Sequence, residues 1–351
     1  MNYKRIYLFF IIVTFAGFAS GQTGGKAFQF LDVTNSARIA SLGGKSVAVY
    51  DHDLNMPYFN PSLLSASMNN HLVLNYVKYF AGVNYGYAAY SKSYDKTGNF
   101  AVGIHYLNYG TFIAADDKGT KNGEFHASDY AVNLIYSRQI DSLLHIGVNL
   151  KPIYSTLERY TAFAAAIDAG ITYHNPDKLF TASLVIRNFG SQISTYYADG
   201  DYEPLPFDIA LGISKSLAHS PFTFYIVADH LEKWDLTYRT DKEKEASFNA
   251  FTGQEKSESK FDDAIDKTMR HITLGTEFRL TNSFVFRFGY NYRRRQEMKI
   301  ESKTSTIGFS WGIGLRVSKF HFSYGRSTYH LHGSPNYFSL SMNLSEFNSK
   351  L

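Results

Sequence analysis

The residues best placed to do chemistry in this chain are ten ionisable side chains set among small ones: Asp129, Lys151, Asp168, Arg187, Asp208, Asp229, Glu277, Arg279, Arg287 and Arg316. Each lies in a stretch where apolar and small residues alternate, on the parity opposite the rings, so on strands all ten point away from the apolar face. Five are acids and five are bases. A lining of one sign would select ions; a balanced one predicts ion pairs that knit an interior together. Gly308-Phe309-Ser310-Trp311-Gly312 matches the G-x-S-x-G nucleophile motif. That motif works on a sharp strand-to-helix turn, whereas here unbroken alternation runs through it, so its glycines read as small interior residues. Spacing alone leaves open a pairing of Ser310 or Ser323 with His321.

Other candidates are weaker. His321, His330 and His332 fall near the last long connection, and His52, His71, His126 and His271 are scattered; no metal-binding spacing joins them, and they read as rim histidines. Asp116 to Glu124 is polar and Gly-containing but lacks the calcium-loop spacing. Arg293-Arg294-Arg295 could meet anionic lipopolysaccharide head groups or form a solvated rim. The chain has no cysteine, which excludes disulfides, thiolate metal sites and a lipidated N-terminal cysteine. The formal charge of +4 on 351 residues argues against nucleic acid. No catalytic residue, cofactor or metal is expected, and the chain reads as a non-enzyme.

The elements that must position these charges are strands. Aromatics reach 17% while apolar residues total only 44% and mean hydropathy is −0.23. Many rings diluted by polar residues is the signature of strict alternation. In Ser305 to Val317, Ile307, Phe309, Trp311, Ile313, Leu315 and Val317 share one face against small residues on the other. Fourteen such segments occur, near 72–80, 83–93, 100–112, 127–139, 143–156, 162–174, 179–189, 206–216, 222–230, 269–280, 284–293, 304–318, 319–328 and 336–344. Connections after the even segments are short, and the others mostly long, including 110–126, 190–205, 231–268 and 294–303. The pattern predicts an all-β, fourteen-stranded antiparallel transmembrane barrel with short periplasmic turns and longer extracellular loops. A soluble sandwich would carry far more Lys and Glu on its polar face. Pro152 predicts a bulge near the end of its strand, since a closed barrel has no free edge for proline.

Met1 to Gly21 reads as a secretory signal peptide, with Lys4 and Arg5 before an apolar run too short to span. Two of the 35 cationic residues leave with it, so 33 face 31 acids, a net of +2. Residues 22–70 form an N-terminal periplasmic or lumenal segment and 71–351 the barrel. The connection 231–268 stands apart, with ten acidic and seven basic residues among its 38. That charge density suits a solvated loop, while Trp234, Tyr238, Phe248, Phe251 and Phe261 would suit a docking surface for a protein partner.

The segment before the barrel carries a signature: Asn35-Ser36-Ala37-Arg38-Ile39-Ala40-Ser41-Leu42-Gly43-Gly44, then Asp51 and Asp53, then Phe59-Asn60-Pro61-Ser62-Leu63-Leu64. It resembles the start of the PorV and PorQ outer-membrane proteins of type IX secretion in the Bacteroidetes, relatives of the FadL-type transporters. Leu74 to Gly86 and Asn149 to Ser155 look like PorQ in particular. The resemblance implies a FadL-like barrel in the outer membrane of a Gram-negative, Bacteroidetes-type bacterium. It implies attachment of a PorZ-like surface protein, in a complex with PorV and the protease PorU, where cargo is linked to lipopolysaccharide. The alternative it carries is a FadL-like transporter of hydrophobic compounds, with residues 22–70 as an internal hatch.

Overall fold

The computed structural model describes residues 27–197, 200–237, 260–298, 306–329 and 333–348; residues 1–21, expected to be a signal peptide, lie outside them. Fourteen antiparallel strands close into a barrel in which each strand pairs with its sequence neighbours and the last with the first. They are β1 (His71–Lys78), β2 (Asn84–Tyr94), β3 (Gly98–Ala115), β4 (Lys121–Gln139), β5 (Leu144–Leu157), β6 (Tyr160–Asn175), β7 (Phe180–Ser194), β8 (Asp208–Ser216), β9 (Phe222–Ala228), β10 (Ile272–Thr281), β11 (Phe284–Asn291), β12 (Phe309–Val317), β13 (Phe320–Ser327) and β14 (Asn336–Asn343). Their number and order are those that alternation predicts. Closure pairs every edge, which a span through hydrocarbon requires.

The outward parity is apolar and exposed, as Leu134, Val148, Leu150, Phe163, Phe288, Phe309 and Trp311 illustrate. Water would penalise such a face; lipid does not. Among the described residues no helix is long and apolar enough to cross a membrane.

Three expectations need correction. The stretch 110–126 is not a loop, because β3 and β4 run on as a hairpin to a tight turn at Asp116–Thr120, where the Asp116 carboxylate accepts the Lys118 and Thr120 amides. Pro152 causes no bulge: it pairs with Ala165 on β6, and on the β4 side the ladder skips a few rungs without changing register. Losing one N–H removes rungs but inserts no residue. Ile307, placed on the lipid parity, is fully buried, because Gly308 at φ +89° breaks the strand before Phe309. β11 likewise ends early, at Asn291, and turns into a helix over Tyr292–Met298.

Inside the barrel lies the segment from Val33 to Asn70, here called the plug, most of it buried. It contains helix α1 (Ala37–Ser41), whose cap is the Ser36 hydroxyl accepting the Ile39 amide, and three short 3-10 turns. Helix α1 lies against β11–β14, and the turn at Pro61–Leu63 against β4–β6. Ile39, Leu42, Leu54, Tyr58 and Phe59 are fully buried, each stabilising the packed state by about 1.5–3 kcal/mol of transfer free energy. Beyond the strands come α2 (Lys260–Arg270), α3 (Tyr292–Met298) and α4 (Ser345–Asn348).

Candidate functional site

The interior face of β10 and β11 places Glu277 opposite Arg287, in register across the ladder. Arg287 Nε lies 2.7 Å from Glu277 Oε1, and the Tyr225 hydroxyl donates to Oε2 at 2.6 Å. The remaining partner comes from the plug. Arg38 Nε and Nη2 donate to the two Glu277 oxygens at 2.7 and 2.9 Å, a bidentate fork. The same guanidinium reaches Asp51 at 2.7 Å and Asp53 at 3.3 Å. Burial pushes the Asp51 carboxyl up, but the charge and the hydrogen bond of Arg38, with smaller contributions from its neighbours, together hold the group below the usual carboxylate range.

A second knot forms where β8 and β9 meet the plug. Lys45 Nζ lies 2.8 Å from both Asp208 and Asp229 and 3.3 Å from His230 Nε2. Burial opposes the Lys45 charge, yet the two carboxylates raise it above the ordinary lysine value. Arg293 of α3 adds a contact to Asp229 at 3.5 Å. Arg187 meets Asp32 at 3.2 Å and Asp208 at 3.7 Å, with its guanidinium 4.4 Å from the Phe59 ring centre.

A third knot belongs to the wall alone. Lys151 Nζ sits 2.7 Å from Asp168 and 2.6 Å from the Asn188 side-chain oxygen. Its geometry depends on a register shift: β6 passes from Ile167↔Phe189 to Ala169↔Ile186, so Arg187 and Asn188 together oppose Asp168. Asn188 adopts φ +55°, its amide donates to Asp168 at 2.7 Å, and both bulged residues are buried inward. An extra residue that re-aims side chains is what a bulge supplies.

Of the ten charges read from the sequence, Asp129, Lys151, Asp168, Arg187, Asp208, Asp229, Glu277 and Arg287 are buried inside. Asp129 is held by hydroxyls, accepting from Tyr109 at 2.6 Å and from Ser155. Arg279 and Arg316 are not: both are exposed at the short-turn end, Arg279 beside the register shift and Arg316 at 3.7 Å from Glu346. Parity fixed their side of the strand but not their height along it. Of these ten, five acids and three bases are buried; Arg293 and Arg294 of α3 and Arg38 and Lys45 of the plug bring further cations to the interior. The latter two are the only Lys or Arg between residues 33 and 70, a signal available to anyone weighing that segment against the wall.

Glycines of the wall let the plug come close. A Cβ on Gly289 would lie 2.2 Å from Gly43 N, one on Gly170 2.1 Å from Asn60 Oδ1, and one on Gly147 2.3 Å from the Pro61 carbonyl carbon. Asn60 donates to Val47 O at 2.7 Å and to Thr172 Oγ1 at 3.1 Å, while the Ser62 and Thr172 hydroxyls lie 2.7 Å apart. Ser310 lies within β12, not on a turn, and its hydroxyl donates to the Ser41 carbonyl at 3.3 Å, a tie to the plug. Ser323 accepts from Arg287 at 3.4 Å. Of the arginine run, Arg293 and Arg294 turn inward, Arg294 donating to Gly43 O at 3.2 Å. His321 opens β13 at the short-turn end; His330 and His332 lie outside the described residues. Trp234 and Phe261 are exposed, at 63% and 72%, on the long-loop side; Tyr238, Phe248 and Phe251 lie outside the described residues. Asp208, His230 and Glu232 bring three potential ligand atoms together, but Lys45 already supplies the cation there.

No protein-family model matches the chain, and no curated protein matches it, so the PorV and PorQ likeness stands on its own residues. Among solved structures, the chain is similar to a "TodX monoaromatic hydrocarbon channel" deletion mutant at 12% identity, over 88% of this chain and 97% of that one, with a TM-score of 0.52. The Pseudomonas putida toluene transporter TodX matches at 12% identity, over 88% and 96%, with a TM-score of 0.50. A Pseudomonas aeruginosa FadL homologue matches at 11% identity, over 88% and 98%, with a TM-score of 0.48. At such identity the likeness shows the fold: a closed fourteen-stranded barrel of the type found in Gram-negative outer membranes.

Proposed function

We propose that the chain is an outer-membrane barrel that lets small hydrophobic molecules pass when its plug shifts. The observation that carries this reading is that the lumen is closed by a separate segment, tied to the wall by a few buried charges, and not by the wall's own side chains. Paired charges and a filled lumen disfavour free ions. The TodX structures, described as a toluene transporter and a monoaromatic hydrocarbon channel, support the substrate class. Between Val132-Asn133 and Lys151-Pro152 the β4–β5 ladder lacks its rungs, which gives an apolar solute a weak point in the wall toward the bilayer. The test is uptake of a labelled monoaromatic by cells with and without the gene. Barrel-dependent uptake is expected; equal uptake in both strains sinks the reading.

A second reading is attachment: a barrel that holds a PorZ-like surface protein, with PorU and PorV, beside lipopolysaccharide. Trp234 and Phe261 favour it, because large rings exposed on the long-loop side suit a protein interface. Affinity isolation of the tagged barrel from outer membranes discriminates: recovery of a stoichiometric surface protein, lost on Trp234→Ala with Phe261→Ala, supports attachment over passage.

A further inference from the structure

Lys92 of β2 stands on the lipid-facing parity with Tyr90, while Tyr87, Ala89 and Ser91 alternate with them and are buried inside. A charge on that face costs least near a membrane boundary, and Lys92 lies two residues before β2 ends at Tyr94, at the short-turn end. Its Nζ donates to the Asn70 side-chain oxygen at 2.9 Å, which draws the ammonium toward the rim. Among the described residues no carboxylate pairs with it. Asn70 is neutral and takes one of the three ammonium protons, so two donors and the positive charge are left for another partner.

Beside Lys92 the outer surface of the wall is concave. Lys92 pairs with Phe100 on β3, and Phe100 with Tyr136 on β4; one row further from the rim, Tyr90 pairs with Val102, and Val102 with Leu134. These side chains line a groove of about 360 Å³. Phe100, Val102 and Leu134 are exposed in it. The Tyr136 hydroxyl donates to Thr97 O at 2.8 Å and the Tyr90 hydroxyl to the Asn70 side-chain oxygen at 2.9 Å. Both phenols thus keep their polar ends at the rim and their apolar bodies beside the groove, as rings at a membrane boundary do.

We propose that this groove binds one phospholipid of net negative headgroup from the leaflet on the short-turn side, with its phosphate on Lys92 and an acyl chain along Val102 and Leu134. The site lies outside the lumen and at the opposite end of the barrel from Trp234 and Phe261, so it is independent of both readings of function.

The headgroup seat is built before a lipid arrives. The Asn70 amide donates to Ser91 O at 3.0 Å, its carbonyl accepts the Leu344 amide at 2.8 Å, and its side chain donates to the Ser345 hydroxyl at 2.7 Å. Lys92 is therefore held on a fixed partner, and less side-chain freedom is lost on binding. Arg138, exposed and two residues beyond Tyr136 on the same parity, adds a second cation to this rim. A groove of about 400 Å³ elsewhere on the lipid face, lined by Leu74, Ile313, Phe322 and Phe338 among others, supplies the contrast: none of the described residues lining it is charged. It can hold an acyl chain but has nothing to choose a headgroup.

The test is native mass spectrometry of the full barrel in detergent micelles, titrated with palmitoyl-oleoyl phosphatidylglycerol and, separately, with the phosphatidylcholine of the same chains. The expected result is one phosphatidylglycerol per barrel, held about fivefold or more tighter than phosphatidylcholine, the effect of one lysine beside an anionic lipid. Lys92→Gln should remove that preference and Lys92→Arg should keep it. Val102→Trp, which fills the groove, should weaken both lipids. These side chains face outward, so the substitutions leave the packed interior intact. Lys215→Gln, at the short-turn end of β8 on the same face but outside the groove, should change nothing. Equal retention of the two lipids by the wild type overturns the proposal, as does a preference that survives Lys92→Gln. Binding unchanged in Val102→Trp, or a preference lost as fully in Lys215→Gln, overturns it too.

Discussion

The plug meets two unlike stretches of wall. Along β8–β11 the wall buries more carboxylate than Arg287 alone can balance, and Glu277, Asp208 and Asp229 also take Arg38 and Lys45 of the plug as partners. Along β5–β7 the wall is already paired, Lys151 with Asp168, and the plug answers with neutral groups: Asn60 and Ser62 on Thr172, and backbone pressed against Gly147 and Gly170. One side is locked by charge and the other by fit. The difference is that this segment meets the wall through charge where the wall carries an excess of carboxylate, and through neutral groups where the wall is already paired. If the plug moves, the charge-locked side should control it, since breaking one partner out of a buried pair costs far more than loosening a neutral contact.

The comparison can be broken at four points. Because the chain has no cysteine, a Ser46→Cys reporter reads plug opening by its rate of thiol labelling; the Ser46 hydroxyl is buried without a partner, so the swap removes no hydrogen bond. Arg38→Ala leaves Asp51 and Asp53 without their cation and takes the bidentate partner from Glu277, and should destabilise the seated plug by about 3–5 kcal/mol, with labelling faster by about a hundredfold or more. Labelling at the wild-type rate would refute the charge lock.

Gly170→Val acts on the other side. Its added carbon meets Asn60 at 2.1 Å, and overpacking of this kind costs about 1–3 kcal/mol. The expected acceleration is roughly tenfold, and it should add to that of Arg38→Ala, because the two sites share no partner.

Acid should also distinguish the sides. The folded-state Asp51 group lies below its unfolded value, so its contribution is present above the unfolded value of about 3.9 and is lost as pH falls through the folded one. Labelling, taken relative to a free thiol at the same pH because the reactive thiolate itself thins out in acid, should quicken below about pH 4, and Asp51→Asn should flatten that profile. An unchanged profile in the variant would show that Asp51 is not part of the lock.

The smallest effect is expected at the two rim arginines. Arg279→Ala and Arg316→Ala remove exposed charges, and each should change plug opening by less than ~0.5 kcal/mol. A large effect at either would mean that the short-turn rim is coupled to the plug.

Much of the barrel was legible in the order of residues. Phe309, Trp311 and Leu315 against Ser310, Gly312 and Gly314 gave the face of β12, and the fourteen-fold repeat of such runs gave the wall. Where the reading failed, a local backbone feature intervened: Gly308 at φ +89° buried Ile307, and the tight turn at Asp116 extended a hairpin through what read as a loop. The balance of five acids and five bases was also wrong in detail, because alternation gives a side chain's face and not its depth, and Arg279 and Arg316 lie too near the rim to be buried.

What the sequence by itself determined is the period-two pattern, and with it the strands, their number, their lipid face and the sign of each inward charge. Those follow from the pleat, in which neighbours along the chain must face opposite ways. What only the tertiary structure decided is who meets whom across the lumen. Arg38 and Glu277 are 239 residues apart. Such contacts depend on barrel closure and on the path of the plug within it. Neither is a property of any short run of residues, because each is fixed by the packing of the whole.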